Sequence, residues 1–246
     1  MKSTPPSTLS RLVAWTLVFL AICLPPIAWA GTFSVTPVRI YMSARDRAVA
    51  ITVRNDGDEP IVLQADLHTW KQAPDGTDQL ELTEDLILSP PILKLAPKAR
   101  QVVRLARLTP PDTSRQLTYR FILREVPEAL APKQSVQIQI ALALSMPVFI
   151  TPPGAKRNVS CALAGVEGKS VGIRCSNSGT AYAQIREVEI LRSDKKIAGF
   201  SGGAYILPGA SKTIAADAES VPSSGTARVK VTFDDSTTQE FGLSLP

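Results

Sequence analysis

The sequence predicts an all-β protein of two antiparallel β-sandwich domains, and three observations carry that expectation. Short apolar alternations separated by turn signals run along most of the chain. No segment keeps a helical period for three turns. One strand–turn–strand plan occurs twice. After removal of a leader, the 246-residue chain keeps about 216 residues, enough for two domains of ordinary size.

Residues 1–30 have the pattern of a removable signal peptide. Lys2 and Arg11 give a positive start, Leu12 to Leu24 form the apolar run, and Ala28-Trp29-Ala30 supplies a small-x-small cleavage pattern, with the cut expected after Ala30. The run is shorter than the roughly 20 residues that span a bilayer and is closed by Pro25-Pro26, so no stable membrane insertion is expected after cleavage. Cys23 follows Ile22 rather than the small residue a lipoprotein site needs, and leaves with the leader.

The first domain is expected over 31–152. Its strand signals are FSVTPVRIYM (33–42), AVAITVRNDGDEPIVLQADLHTW (48–70), PILKLAPKARQVVRL (91–105) and LTYRFILREVP (117–127). Asp56-Gly57, Asp75-Gly76, Pro90-Pro91 and Pro110-Pro111 punctuate them. The last strand, SVQIQIALALSMPVF (135–149), is the unusual one. Val136, Ile138, Ile140, Leu142, Leu144 and Met146 occupy every second position, with small or polar residues between, so one face of an extended chain is strongly apolar. The stripe covers about 11 residues where strands usually run about 5 or 6. Residues 136–146 contain neither Lys nor Pro, the residues that normally blunt a sheet edge, so an edge here is open to another chain.

TPPGAKRN (151–158) reads as a linker, and the pattern restarts in a second domain over 153–246 with SVGIRCSNSGTAYAQIREVEI (170–190), GAYILPGASKTI (203–214) and TARVKVTFDDSTTQEFGLSL (226–245). VAITVRNDGDEPIVLQADL and VGIRCSNSGTAYAQIREVEI share an Asn two residues before a Gly between two strands. LKLAPKARQVVRL and YILPGASKTI share a Pro at the turn. Two related sandwiches of about 120 and 95 residues fit this repetition.

The chain offers little to catalysis. His68 is the only histidine and has no nucleophile elbow beside it, which makes it a structural or surface residue. With so few ligands a metal site is not expected, nor is any cofactor. GVEGKS (165–170) lacks the glycine spacing of a phosphate loop and reads as a hairpin turn, while NVS (158–160) is a glycosylation pattern only. Asp234 and Asp235 sit at a strand end, where a turn or an interdomain ion pair is the default role. An exported chain meets an oxidising compartment, so Cys161 and Cys175 are expected to pair across a local hairpin, with two unpaired buried thiols as the alternative. Loss of the leader leaves 25 basic and 22 acidic residues, a net charge of +3 with the cations scattered, and no nucleic-acid partner is needed to explain it.

Several of these motifs together carry a resemblance. FSVTPVRIYM resembles the opening strand of periplasmic pilus-assembly chaperones of the chaperone–usher class, with Arg39 at the position of that family's invariant arginine. SPPILKLAPKARQVVRL (89–105) is similar to its paired prolines, Leu-x-Pro and Gln-x-x-Arg strand, and YRFILREVP (119–127) to its strand ending in Glu-x-Pro. The resemblance implies two immunoglobulin-like domains joined at an angle with a cleft between them, and a chaperone without catalysis. It implies that the strand at 135–149 lends its alternate apolar residues, Val136, Ile138, Ile140, Leu142 and Leu144, to a pilus subunit that lacks its own last strand, before delivery to an outer-membrane usher. Burying five such side chains contributes on the order of 10 kcal/mol before association costs.

The sequence departs from that family at one point. Many members place a lysine on the long strand shortly before its closing proline, where it joins the arginine in gripping the subunit's terminal carboxylate. Here Ser145, Met146, Pro147 and Val148 occupy the region. Arg120 and Arg124, on one face of the neighbouring strand, are the candidate substitutes, with exposed or salt-bridged arginines as the alternative role. The short connection at 127–135 and the missing lysine point to a divergent branch. A stripe this apolar also suggests a self-capped dimer in the free protein or a flexible connection at 127–135. A secreted two-domain structural or adhesive protein, its stripe wholly internal, is the competing reading.

Overall fold

The computed structural model describes residues 33–127 and 141–246; the leader at 1–30 and the stripe residues Val136, Ile138 and Ile140 lie outside the described residues. Residues 33–246 form one compact unit, and every element among the described residues is a strand. The first half stacks two sheets. One has the order β1 (Phe33–Thr36), β3 (Ala48–Asn55), β8 (Arg100–Arg107) and β6 (Leu86–Ser89). The other runs β2 (Ile40–Ser43), β10 (Ala143–Thr151), β9 (Leu117–Glu125), β4 (Ile61–Gln72) and β5 (Asp78–Leu82), with β7 (Ile92–Leu95) also on β4. Alternation decides which side chains turn inward: Ile51 and Val53 of β3 are buried between outward Ala50, Thr52 and Arg54, and Tyr119, Phe121 and Leu123 of β9 between Thr118, Arg120, Ile122 and Arg124. These inward residues form one core with Leu63, Leu93, Val103 and Leu105.

The second half is a seven-stranded sheet in the order β11 (Val159–Glu167), β12 (Ser170–Asn177), β15 (Ser211–Ala218), β14 (Lys195–Ile206), β13 (Ala183–Arg192), β16 (Gly225–Phe233) and β17 (Thr238–Leu245). β14 joins β15 through only Ala198↔Ala218 and Gly199↔Asp217, so the sheet folds over at that join. Strands from both ends then bury Ile173, Ile185, Val229 and Val231 in a common core. Both halves thus have the immunoglobulin-like sandwich architecture expected from the sequence.

The repeated Asn-x-Gly motif has a structural basis that is the same in both halves. Asn55 and Asn177 are fully buried at the end of a strand. The Asn55 Nδ2 donates to the carbonyls of Glu59 (2.7 Å), Leu95 (3.2 Å) and Ala96 (3.1 Å), and its Oδ1 accepts from Gly57 N–H (2.9 Å). The Asn177 Nδ2 donates to the carbonyls of Ala181 (2.8 Å) and Ile206 (3.0 Å), and its Oδ1 accepts from Gly179 N–H (3.0 Å). Their main-chain N–H groups donate to Ala99 and Ala210 at 2.9 Å each, in the two proline turns that echo one another in sequence. Each asparagine clasps its own turn to a segment about 30 or 40 residues away, satisfying carbonyls that burial would otherwise leave unpaired.

Cys161 and Cys175 face each other across the β11–β12 hairpin and are joined, with S–S 2.05 Å. The GVEGKS segment is the turn of that hairpin, with Gly168 at φ 58°.

Candidate functional site

The apolar stripe of β10 faces the core of the first sandwich, and its burial fades along the strand. Ile150, Val148 and Met146 are buried at 1%, 0% and 4% exposure, whereas Leu144 and Leu142 are only partly buried against that core. The core therefore ends at about Leu144 while the apolar alternation in the sequence runs on to Val136. Among the described residues the strand begins at Ala143 and continues to Thr151, two residues past the expected end at 149.

Hydrogen-bond direction along β10 follows from one contact. Glu125 N–H donates to Leu142 O at 2.8 Å, so in the antiparallel ladder with β9 the even-numbered residues of β10 direct their N–H and C=O groups at β9. The odd-numbered residues, Ala143, Ser145 and Pro147, direct theirs to the opposite edge. β2 covers that edge only from Val148 to Thr151, by parallel pairing with Ile40 to Ser43. Among the described residues, the edge from Ala143 to Pro147 has no partner strand. Pro147 has no N–H, and the one it lacks would have pointed to this open edge, so the ladder with β9 is undisturbed.

The outward side chains of this sheet build the rest of the site. Pro147 lies beside Arg120 of β9, which lies beside His68 of β4. The Arg120 guanidinium stacks over Trp70 at 3.7 Å from the ring centroid and approaches Tyr205 at 5.6 Å. Its carboxylate neighbour, Asp78, is distant at 3.9 Å. Burial pulls the Arg120 pKa below the ordinary arginine value, with Asp78 and Tyr205 acting in the other sense. Arg124 is half exposed and paired to Asp66 at 3.3 Å, the surface ion pair the sequence had left open for it.

Arg39 stands at the edge of β2 and donates to Asp234 at 2.9 Å, joining the two sandwiches across 195 residues of sequence. Tyr182 also donates to Asp234 (3.0 Å) and shares a hydrogen bond with Tyr41 (2.8 Å). Burial, then Tyr41 and Asp234, push the Tyr182 hydroxyl well above its ordinary pKa, so it stays a donor at any physiological pH. Partial burial opposes the charge on Arg39 but is outweighed by Tyr41, Tyr205 and Asp234. Asp235 is held by Arg157 at 2.9 Å. Both aspartates thus serve in ion pairs, as their place at a strand end suggested. These residues line a cleft of ≈730 Å³ together with Lys156, Ala181 and Gln239.

An aromatic cluster not foreseen from the sequence pattern adjoins the cleft, which it reaches through Tyr41 and Tyr182. Phe149 is fully buried and stacks on Tyr182, with centroids 4.0 Å apart and planes at 11°, while Trp70 meets Tyr205 edge-on at 5.2 Å. A signal for it was present in β10. On the outward parity, Ala141, Ala143 and Ser145 are small, and then Pro147 and Phe149 are bulky. The structure brings Arg39 and Arg120 to the same aromatic cluster, both near Tyr205 (5.9 and 5.6 Å), and leaves Arg124 on the sheet face beyond it.

Residues 32–156 match the family model described as pili and flagellar-assembly chaperone, PapD N-terminal domain. The chain is 24% identical over 153 residues to the chaperone protein LpfB of Salmonella typhimurium, an alignment that covers 61% of this chain and 62% of that relative's length. Among solved structures, the fold is similar to that of a chaperone–tip adhesion subunit complex, CsuC–CsuE, of Acinetobacter baumannii (TM-score 0.65, 16% identity, covering 87% of this chain and 98% of that one). It is also similar to the Salmonella enterica SafA pilin complex with the SafB chaperone (TM-score 0.59, 18% identity, 89% and 98% covered). With half of its length matched, on the segment that carries Arg39, Arg120 and the open edge of β10, this chain belongs to the pili and flagellar-assembly chaperone family.

Proposed function

We propose that this chain is a periplasmic chaperone that holds pilus or fimbrial subunits by donor-strand complementation and passes them to an outer-membrane usher, without enzymatic chemistry or cofactor. One observation carries the reading: burial against the first core fades at Leu144 and Leu142 while the apolar alternation in the sequence runs on to Val136, and among the described residues the edge from Ala143 to Pro147 has no partner strand. Main-chain pairing along such an edge gives affinity, and apolar side chains beyond the core, Val136 to Leu144, would fill the groove of an incomplete subunit. The complexes named CsuC–CsuE and SafA–SafB, each of a chaperone with a subunit, support it by likeness of fold.

In this reading residues 1–30 are the export leader, 31–152 the subunit-binding domain and 153–246 the second domain. Arg39 at the cleft and Arg120 beside Pro147 are the cations placed to receive a subunit's terminal carboxylate. Arg124 is the weaker candidate, since it lies on the sheet face beyond the aromatic cluster that Arg39 and Arg120 approach. The free protein would shield its stripe by self-capping. Co-expression with a candidate subunit tests the reading: Ile140→Asp and Leu142→Asp should fold normally, by circular dichroism, and fail to copurify the subunit. Undiminished subunit yield with both variants would overturn it.

A further inference from the structure

The six-stranded sheet that carries β10 touches the second sandwich at both of its edges. At one edge lie Arg39 and Tyr41, with Phe149 on the next strand in, already described. At the other, the β4–β5 hairpin reaches across as an arm. Gln72, the last paired residue of β4 before the turn, donates from Nε2 to Tyr205 O (2.9 Å) and accepts at Oε1 from Leu207 N–H (2.9 Å), so one side chain reads a donor and an acceptor of the facing chain. At the tip, Arg174 of β12 donates to Pro74 O at 3.2 Å. Gly76, buried and at φ 85°, lies so close to β15 that a Cβ would stand 2.8 Å from Ser211 O and 3.0 Å from the Lys212 Cα. The tip is itself closed by Ala73 N–H to Thr77 O and Gly76 N–H to Ala73 O, both 2.9 Å.

We propose that this hairpin is a strut that sets the position of the second sandwich against the subunit-binding sheet, with Gln72 and Gly76 as its positioning residues. The contacts at β2 and the aromatic packing on β10, β9 and β4 hold one side and the middle of the sheet, and a support at the far edge limits the rocking that remains about them. β5 pairs with β4, β4 with β9 and β9 with β10, so the strut and the donor strand share one hydrogen-bonded sheet. A shift at the strut is therefore felt at the cleft between Arg39 and Asp234. The inference rests on the chaperone reading only for its effect on subunits; the strut itself is a statement about geometry.

The test places spin labels at exposed sites on the two sandwiches, through Ala50→Cys and Ser244→Cys, and measures their distance distribution by pulsed electron resonance. Gly76→Ala adds a methyl against backbone at a left-handed position, and Gln72→Ala removes both of its contacts with the second sandwich, along with its bond to Asp78 in the hairpin, without steric load. Each should shift or broaden the distribution and lower the yield of copurified subunit, for Gln72→Ala by up to about tenfold, the most that the loss of its two hydrogen bonds between the sandwiches can pass on. If Gly76→Ala does not fold, Gln72→Ala carries the test. An unchanged distribution overturns the strut, and a changed one with undiminished subunit yield overturns its effect on subunits. Failure of the unsubstituted protein to retain any subunit would instead overturn the chaperone reading, and the distance measurement would still decide the strut.

Discussion

Truncating the stripe residues of β10 one at a time should separate their two uses. Ile150 and Met146 are buried in the first core, and either one changed to Ala removes a fully packed side chain and leaves a cavity, a loss of about 3 kcal/mol within the usual range of about 2–5 kcal/mol. In a chain of this size about 1 kcal/mol moves the melting temperature by roughly 2–4 °C, so these variants should melt about 6–12 °C lower. Leu144 and Leu142 are only partly buried against the same core. Their truncation removes less area from contact and should cost about 1 kcal/mol, or roughly 2–4 °C. Subunit retention should rank the other way at equal fraction folded, with Leu142→Ala and Leu144→Ala weakening copurification most for the least loss of stability. Scanning calorimetry gives the first ranking and quantified co-purification the second. If Leu144→Ala destabilised the protein as much as Ile150→Ala and left subunit yield untouched, the stripe would be internal core throughout and the argument from its length would fail.

Two further outcomes follow from the cleft. Arg39→Ala should fold and lose at least about tenfold of its retained subunit, the order expected on removing one partner of a desolvated charge contact. Arg120→Met, which keeps the apolar stem against Trp70, should reproduce part of that loss if the position beside Pro147 receives the carboxylate, and none if Arg39 alone does; copurified yield distinguishes them. For Asp235, hydrogen bonds from Arg157 and then Thr237 hold the carboxyl at about 2. Because the folded value lies below the ordinary carboxylate value of about 3.9, its contribution to stability is present above about pH 4 and is lost as pH falls through about 2. The pair is partly exposed, so the effect is small and weakens with salt. Denaturation midpoints between pH 2 and 5 should be less pH-dependent in Asp235→Asn, and an unchanged profile would refute the assignment.

What could be read from the sequence was whatever repeats within a few residues. Ile51 and Val53, or Tyr119, Phe121 and Leu123, announce their strands because a half-buried strand requires alternation. Asn55 and Asn177 announced a shared turn because each bonds the glycine two residues on. The sequence could not show that the same amides also hold Leu95 and Ile206, since the partners are carbonyls, which every residue has. The cleft was legible only in pieces. Arg39 came through its motif, but its contact with Asp234 spans two sandwiches, and no local pattern encodes it. Tyr41, Trp70, Phe149 and Tyr205 sit on four different strands and Tyr182 on the loop before β13, and they meet only once the halves dock. Each is a single bulky residue on an outward face, which sequence alone cannot tell from scattered surface apolarity.

Pro147 gives the open edge an end-stop. A visiting strand can exchange hydrogen bonds with Ala143 and Ser145, then meets a residue with no N–H to offer, and beyond it the place is already taken by β2. Sliding the visitor one step further would forfeit a bond without gaining a contact, so alignments are bounded on that side by covalent structure rather than by packing. A period-two stripe guards against slips of one residue by facing, yet tolerates slips of two. The proline supplies the missing reference mark, fixing where along the stripe a guest chain must stop counting.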